Sequence, residues 1–232
     1  MTLTKQLYEL QELDTDIENT QQTLDIKTSQ VGKRDILDAA QNRLDAEREN
    51  YEELKHRRRD AEAELDDVNS KISAANQQLY GGRITNSKEL SNLQHEINTL
   101  KGLNDQLETK TLEIIDRVEA AEKTAAAANA DYQKLEAEWQ QEQKQLTADI
   151  ALLQKTLAEL TAKRQLAITQ IEPSALSLYE RIRPQKKQAV AKVEQGICRA
   201  CRISVSASTL QKARSGQPVQ CGSCGRILFV SQ

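Results

Sequence analysis

Four cysteines near the C-terminus carry the chemistry that this sequence can perform. They form two Cys-x-x-Cys pairs, Cys198 with Cys201 and Cys221 with Cys224, separated by 19 residues. A two-residue gap lets a tight turn aim both thiolates at one ion, and this spacing is typical of a four-cysteine zinc site. Because four thiolates leave no open position for water or substrate, the sequence predicts one structural Zn²⁺ ion.

A pair of redox dithiols is the alternative interpretation of these cysteines. Such dithiols usually lie in a βαβ context, and no such pattern surrounds these pairs. The alternation in residues 189–197 and the run at 226–230 instead predict short strands, with a helix over 207–214 between the two pairs. A segment of this size cannot bury enough core to fold alone, so metal binding is expected to stabilise it. We call this predicted C-terminal module, residues 186–232, the ribbon.

Positive charge is concentrated in the ribbon. Residues 186–232 hold eight Lys and Arg side chains against Glu194 alone, a net charge of +7, whereas residues 1–185 have a net charge of −10. A zinc ion with four thiolates carries −2, so the ribbon stays positive by about five. The predicted nucleic-acid contacts are Arg199, Arg202, Lys212, Arg214 and Arg226. Two alternatives are a solvated basic face and a face that docks an acidic protein.

A heptad repeat occupies the first 170 residues and predicts the elements that carry the ribbon. Apolar residues recur at alternating steps of three and four on both sides of Gly81-Gly82, and Asn86 is a candidate N-cap for the second helix. Two helices of about 80 residues are therefore expected to pair antiparallel. The alternative is one continuous rod that pairs with another chain.

Breaks in the pattern set the predicted boundaries. The heptad register is lost near 32–36 and again near 139–146, which predicts a kink. Pro173 is expected to end the hairpin, and Pro184 to stop a short amphipathic helix over 174–183. The sequence thus predicts a mainly α fold: an antiparallel coiled-coil hairpin over 1–172, with a turn near 81–87, then a base helix and a zinc ribbon with short β-strands over 173–232.

Several classes of function are not expected. One Phe, one Trp and five Tyr are too few for the core of a compact enzyme of this size. His56 and His95 lack partner residues, and no nucleophile–base pair or phosphate loop is present, so neither an enzyme nor a small-molecule substrate is predicted. No apolar stretch could span a bilayer, and the N-terminus lacks the features of a signal peptide. We therefore expect a cytoplasmic protein without membrane contact.

Three segments give the chain a family resemblance. Residues 79–90 (LYGGRITNSKEL), 178–182 (LYERI) and 220–229 (QCGSCGRILF) resemble a bacterial family in which an elongated coiled-coil hairpin precedes a C4-type zinc ribbon. Its members are often labelled predicted nucleic-acid-binding proteins. Arg202 stands where they often have His, a difference that leaves the cysteines intact.

The resemblance and the basic tail together predict a non-enzymatic protein. Its ribbon would bind nucleic acid weakly and non-specifically, with the hairpin as a rigid spacer. The alternative is an interaction scaffold, adaptor or chaperone. In that case the hairpin tip, through Arg83, Asn86 and Lys88, would hold a protein partner together with the ribbon.

Overall fold

The computed structural model describes residues 2–82 and 84–230. Its helices and strands, in chain order, are α1 Leu3–Gln30, α2 Asp35–Tyr80, α3 Ser87–Thr169, α4 Pro173–Lys186, β1 Val190–Glu194, β2 Ile197–Cys198, α5 Ala207–Arg214 and β3 Ile227–Val230. The chain divides into a hairpin unit, Lys33–Glu142, and a ribbon unit, which comprises the chain up to Gly32 and from Gln143 onward. Among the described helices, none is both long and apolar enough to cross a membrane.

In the hairpin unit, α2 pairs with α3 along a heptad seam. The buried side chains of α2 are Leu37, Leu44, Leu54, Ala61, Val68 and Ala75. Most of these steps are seven residues, the repeat expected of a coiled coil. Leu54 packs against Val118 and Ala121 of α3. The contacts are made within one chain, so the predicted mainly α fold with a helical hairpin is confirmed.

The turn of the hairpin depends on two glycines and an asparagine. Gly81 caps the C-terminus of α2, where a Cβ atom would lie 2.6 Å from the Gln77 carbonyl oxygen. Gly82 has φ +70°, a left-handed conformation that glycine adopts without strain. The Asn86 Oδ1 atom then accepts a hydrogen bond from the Lys88 amide at 3.0 Å, so Asn86 is the predicted N-cap of α3.

The first arm of the helical hairpin consists of two helices, α1 and α2, and not of the single helix of about 80 residues that the heptads predicted. α1 ends at Gln30 and α2 begins at Asp35, whereas α3 runs unbroken from Ser87 to Thr169. Gly32 has φ +76°, and its amide donates to the Gln143 side-chain oxygen at 2.8 Å. A left-handed residue cannot continue a helix, so the chain is interrupted in the region where the heptad register is lost.

The core of the ribbon unit is shared between helices and strands. It includes Leu7 and Leu10 of α1, Tyr179 of α4, Val190 of β1 and Ile227 of β3, all fully buried. The small sheet has the order β2-β1-β3, with β1 antiparallel to β2 and parallel to β3. One face of this sheet therefore completes a helical core instead of enclosing a core of its own.

The predicted short strands are present, and residues 189–197 contain two of them, β1 and β2, because Gln195 and Gly196 both have positive φ and make a tight turn between the two strands. One local prediction in the ribbon unit was wrong. Pro184 does not stop α4, which continues to Lys186. A proline in the last turn costs few hydrogen bonds, and Lys187, with φ +59°, closes the helix by donating its amide to the Arg183 carbonyl at 2.8 Å.

Candidate metal centre

The first pair of cysteines lies in knuckle 1, residues 198–203, which follows directly from β2. The Cys198 amide donates to the Ile203 carbonyl at 3.0 Å, and the Arg202 amide donates to the Cys198 carbonyl at 2.7 Å. These two hydrogen bonds close a tight loop around Cys198 and Cys201. The loop fixes the direction in which both thiols project.

The second pair lies in knuckle 2, residues 221–226, which leads into β3 and repeats the same pattern. The Cys221 amide donates to the Arg226 carbonyl at 2.8 Å, and the Gly225 amide donates to the Cys221 carbonyl at 2.8 Å. Gly225 has φ +74°. Because β1 pairs with both β2 and β3, the sheet brings the two knuckles together.

The four sulfur atoms form a compact cluster that fits a tetrahedral metal ion. One ligand atom from each cysteine lies within 4.8 Å of the other three. The Cys198 and Cys224 sulfurs are 3.9 Å apart, and those of Cys201 and Cys221 are 3.8 Å apart. A tetrahedral ion with metal–sulfur bonds of about 2.3 Å requires sulfurs about 3.8 Å apart, whereas a disulfide requires about 2.05 Å. The geometry is that of a metal site with four thiolate ligands.

The pKa values of the Cys198 and Cys224 thiols are shifted in opposite directions. Burial raises the pKa of the Cys198 thiol to about 12, although backbone N–H groups of its own knuckle oppose the shift. Burial also acts on Cys224, but the amide and guanidinium of Arg226 outweigh it and lower that pKa to about 7. A cation that binds all four sulfurs must therefore displace protons, so the affinity for metal falls as pH falls.

Two of the five predicted nucleic-acid contacts are already engaged within the protein. The Arg199 guanidinium pairs with the Glu194 carboxylate at 2.5 Å. Arg226 donates to the carbonyl oxygens of Gln188 and Lys186, at 2.9 and 3.3 Å, and thereby holds the segment between α4 and β1 against knuckle 2. Both residues therefore have structural roles that the spacing of the sequence does not indicate.

The other three predicted contacts are free to meet a ligand. Arg202, Lys212 and Arg214 are exposed. Across residues 2–82 and 84–230, no ion pair involves any of the three side chains. Lys212 and Arg214 lie in the last turn of α5, and Arg202 lies in knuckle 1. We refer to these three side chains as the free cations.

Helix α1 supplies contacts to the ribbon that sequence reasoning missed. The Tyr8 ring stacks on Phe229 with ring centroids 5.0 Å apart, and the Lys192 ammonium lies 4.6 Å from the centre of the Tyr8 ring. The buried Gln11 side chain bonds both backbone groups of Val190, donating to its carbonyl at 3.0 Å and accepting from its amide at 2.7 Å. Phe229 is therefore part of a packed interface and is not available to stack on a base.

The residues predicted for the hairpin tip have different placements. Asn86 uses its side chain to cap α3, and Lys88 is exposed in the first turn of that helix. Arg83 lies outside the described residues. Tyr80, which was not among the predicted contacts, is 79% exposed beside Gly81.

The fold and the site define a class of protein: a helical hairpin that carries a C-terminal four-cysteine ribbon. The family model described as the CT398-like coiled coil hairpin domain matches residues 4–187, so the chain belongs to that family. The match stops before the first cysteine. It therefore identifies the hairpin and leaves the ribbon to be argued from its own geometry.

Relatives and solved structures agree with this assignment. The Mycobacterium tuberculosis protein Rv2229c is 28% identical over 194 residues, which cover 82% of this chain and 79% of that protein. The structure of CT398 from Chlamydia trachomatis is similar with a TM-score of 0.70 at 18% identity, over 99% of this chain and 98% of that one. A Mycobacterium smegmatis structure is similar with a TM-score of 0.62 at 20% identity, over the full length of both chains. These structural similarities support the fold alone.

Proposed function

We propose that the four sulfurs hold one structural zinc ion and that the ribbon binds nucleic acid weakly, without enzymatic activity. A tetrahedral set of four thiolates is typical of zinc or of iron–sulfur chemistry. Sulfurs 3.8–3.9 Å apart fit one ion rather than a cluster of several irons, and zinc is the ion that structural four-cysteine ribbons usually hold. Thiolate ligands need a reducing compartment, which is consistent with a cytoplasmic protein. On this proposal the hairpin acts as a spacer for the ribbon.

The observation that carries the proposal is the exposure of the three free cations. Arg202, Lys212 and Arg214 project from a module in which Glu194, the one acidic residue, is already paired with Arg199. A phosphate backbone is the ligand that such unneutralised charge attracts, and the contact requires no pocket. Tyr8 and Phe229 are packed together, so base stacking contributes little and weak sequence preference is expected.

The test is a salt series with the full-length, zinc-loaded protein. Binding to labelled duplex DNA and single-stranded RNA is followed by fluorescence anisotropy from 20 to about 200 mM salt, a range over which electrostatic binding weakens steeply. The variant R202E/K212E/R214E is expected to bind at least tenfold more weakly. On duplex DNA the log–log salt slope is expected to fall by about 0.9 for each phosphate that the variant no longer neutralises.

A matched control variant distinguishes the loss of the ribbon cations from the change in net charge alone. K101E/K110E/K123E makes the same charge change at exposed lysines of α3 in the hairpin unit, and it is expected to bind like the wild type. The proposal fails if both triple variants bind equally, or if the wild type does not bind at the lowest salt concentration.

An interaction scaffold is the second candidate function. The observation in its favour is Tyr80, because a tyrosine 79% exposed at a hairpin turn is typical of a residue that anchors a protein contact. On this alternative, Tyr80 and Lys88 at the tip would bind a protein, and the free cations of the ribbon would dock an acidic one. Absence of nucleic-acid binding in the salt series would favour this function.

A further inference from the structure

The two knuckles provide an internal comparison, because they share one hydrogen-bond pattern. In each, the fifth residue donates its amide to the carbonyl of the first cysteine, at 2.7 Å for Arg202 and 2.8 Å for Gly225. In each, the fifth residue is also left-handed, with φ +60° for Arg202 and +74° for Gly225. The knuckle geometry therefore requires a left-handed residue at this position, whatever its side chain.

Glycine is the residue that meets this requirement without strain. A Cβ atom built on Gly225 would meet nothing within 4 Å, so glycine is needed there for its backbone freedom and not for space. An L-residue with a Cβ atom has a steric penalty in the left-handed region. Arg202 thus makes knuckle 1 less stable than glycine would.

The other non-glycine residues with positive φ complete local elements. Lys187 closes α4, and Gln195 forms the turn between β1 and β2. Arg202 differs from both because its own site has a glycine counterpart in the same fold. The side chain of Arg202 must therefore make an interaction that offsets the steric penalty of its backbone conformation.

Among the described residues, the Arg202 side chain has no such interaction. In the part of the chain that the structure describes, the Arg202 guanidinium makes no ion pair and no side-chain hydrogen bond, and the side chain is exposed. The backbone from which it projects is fixed, since the Arg202 amide and the Ile203 carbonyl are both bonded to Cys198. Backbone strain with no internal compensation is typical of residues that contact a ligand.

We propose that Arg202 is a phosphate-binding residue of the ribbon, held by knuckle 1 in a position that costs stability. The inference rests on the proposed function. The planar guanidinium can donate two parallel hydrogen bonds to one phosphate, a geometry that lysine cannot reproduce. Because the metal site fixes the knuckle, little backbone entropy is lost when this contact forms.

Two variants of the full-length, zinc-loaded protein separate the charge from the backbone strain. R202G removes both, whereas R202Q removes the charge and keeps a Cβ atom in the left-handed region. Each is expected to weaken binding to duplex DNA about fourfold at a fixed salt concentration, and to lower the log–log salt slope by about 0.9. R202G alone is expected to raise the thermal midpoint of unfolding, by about 2 °C.

The control is K101Q, which loses one exposed charge on α3 and is expected to bind like the wild type. Zinc content is measured in every variant. Failure of the wild type to bind in low salt would overturn the proposed function and this inference together. If the wild type binds and R202Q binds equally well, only the role of Arg202 is overturned. If R202G leaves the thermal midpoint unchanged, the strain argument is wrong.

Discussion

Asp14 is a buried carboxylate that three side chains bind from two other helices. It is 2% exposed, with Arg164 Nε at 2.5 Å, Arg183 Nη1 at 2.7 Å and the Tyr179 hydroxyl at 2.6 Å. A buried charge is tolerated when it is paired and its remaining lone pairs are bonded, as here. Asp14 thus joins α1 to α3 and α4 at a position that apolar packing would otherwise occupy.

Tyr179→Phe tests this network through its pH dependence. Burial, with a contribution from the hydrogen bond to Asp14, raises the pKa of Tyr179 well above its usual value. A raised pKa means that the folded state keeps a proton which the unfolded state releases above about pH 10, so this stabilisation is present below pH 10 and lost as pH rises further. The variant is expected to lose about 1–3 kcal/mol at pH 7 and to show a shallower loss of stability at alkaline pH.

Urea unfolding between pH 7 and 11 measures both effects. Tyr80→Phe is the matched control, because Tyr80 is 79% exposed and its removal is expected to change neither quantity. Equal alkaline slopes for wild type and Tyr179→Phe would contradict this account of the buried hydroxyl.

At the residue scale, the sequence predicted that the four cysteines come together, but not the contacts that Arg199 and Arg226 make within the protein. Cysteine ligands cluster because the two-residue spacing and the tetrahedral geometry constrain each other, so spacing alone carries the information. Arg226 instead bonds carbonyl oxygens 38 and 40 positions away, which no local pattern encodes. Asp14 did leave a signal, since it occupies the heptad position between Leu10 and Ile17 that the apolar series skips.

The Gln11 side chain links helix α1 to strand β1, because it forms the two hydrogen bonds that a neighbouring strand would otherwise form. Its side-chain amide bonds both the N–H and the C=O of Val190, which is 1% exposed. Buried backbone groups without partners are costly, so this one side chain completes the hydrogen bonding where β1 begins. The ribbon is thereby attached to α1 by polar contacts as well as by its apolar face.

Gln11→Ala is expected to destabilise the ribbon unit by about 2–4 kcal/mol, because it leaves two buried backbone groups unsatisfied. The measurement is thermal unfolding together with amide hydrogen exchange, in which the Val190 amide is expected to lose protection. Gln6→Ala is the control, since within the described residues the Gln6 side chain donates a single long hydrogen bond, to the Gln170 carbonyl at 3.3 Å. A Val190 amide that stays protected in Gln11→Ala would show that Gln11 does not hold β1.

The elements themselves could be predicted where the pattern is long. The heptads of α2 and α3 repeat over many turns, and α5 was predicted with its observed bounds. The interruption between α1 and α2, the extension of α4 past Pro184 and the turn at Gln195 depend instead on individual left-handed residues. A single backbone conformation leaves no period in the sequence. The lost heptad register therefore predicted a kink near 32–36 but not the end of one helix and the start of another, and the other two boundaries were missed.

At the scale of the whole molecule, the ribbon is not an independent domain. Ala189, Val190, Ile227 and Phe229 are buried against Leu7 and Leu10 of α1 and against Tyr179 of α4. A second cluster holds two of the cysteines, Cys198 and Cys221, with Ala213 of α5. Because Leu228 belongs to the second cluster and its neighbours Ile227 and Phe229 to the first, β3 links the cysteine cluster to the helical core.

Removal of the metal is therefore expected to affect more than the ribbon. Without it, the four thiols, which are 3.9 Å apart in the pair Cys198–Cys224 and 3.8 Å apart in the pair Cys201–Cys221, lose the ion that would hold them, and β1 and β3 lose their fixed positions. We expect amides of β1, β3, α4 and the first turns of α1 to exchange faster, and the exposed core to bind a hydrophobic dye. Residues 35–80 and the facing part of α3 have their own seam, so they are expected to stay helical.

Elemental analysis, circular dichroism and hydrogen exchange before and after chelation measure this outcome, and readdition of zinc is expected to restore protection. Protons compete with the metal, most strongly at Cys198, whose pKa burial raises to about 12. Chelation is therefore expected to be more complete at pH 6 than at pH 8. A metal-free protein whose ribbon amides exchange as slowly as before, or one with two disulfides, would contradict the metal assignment. Faster exchange confined to the two knuckles would instead show that the metal stabilises only its own loops and that the shared core does not depend on it.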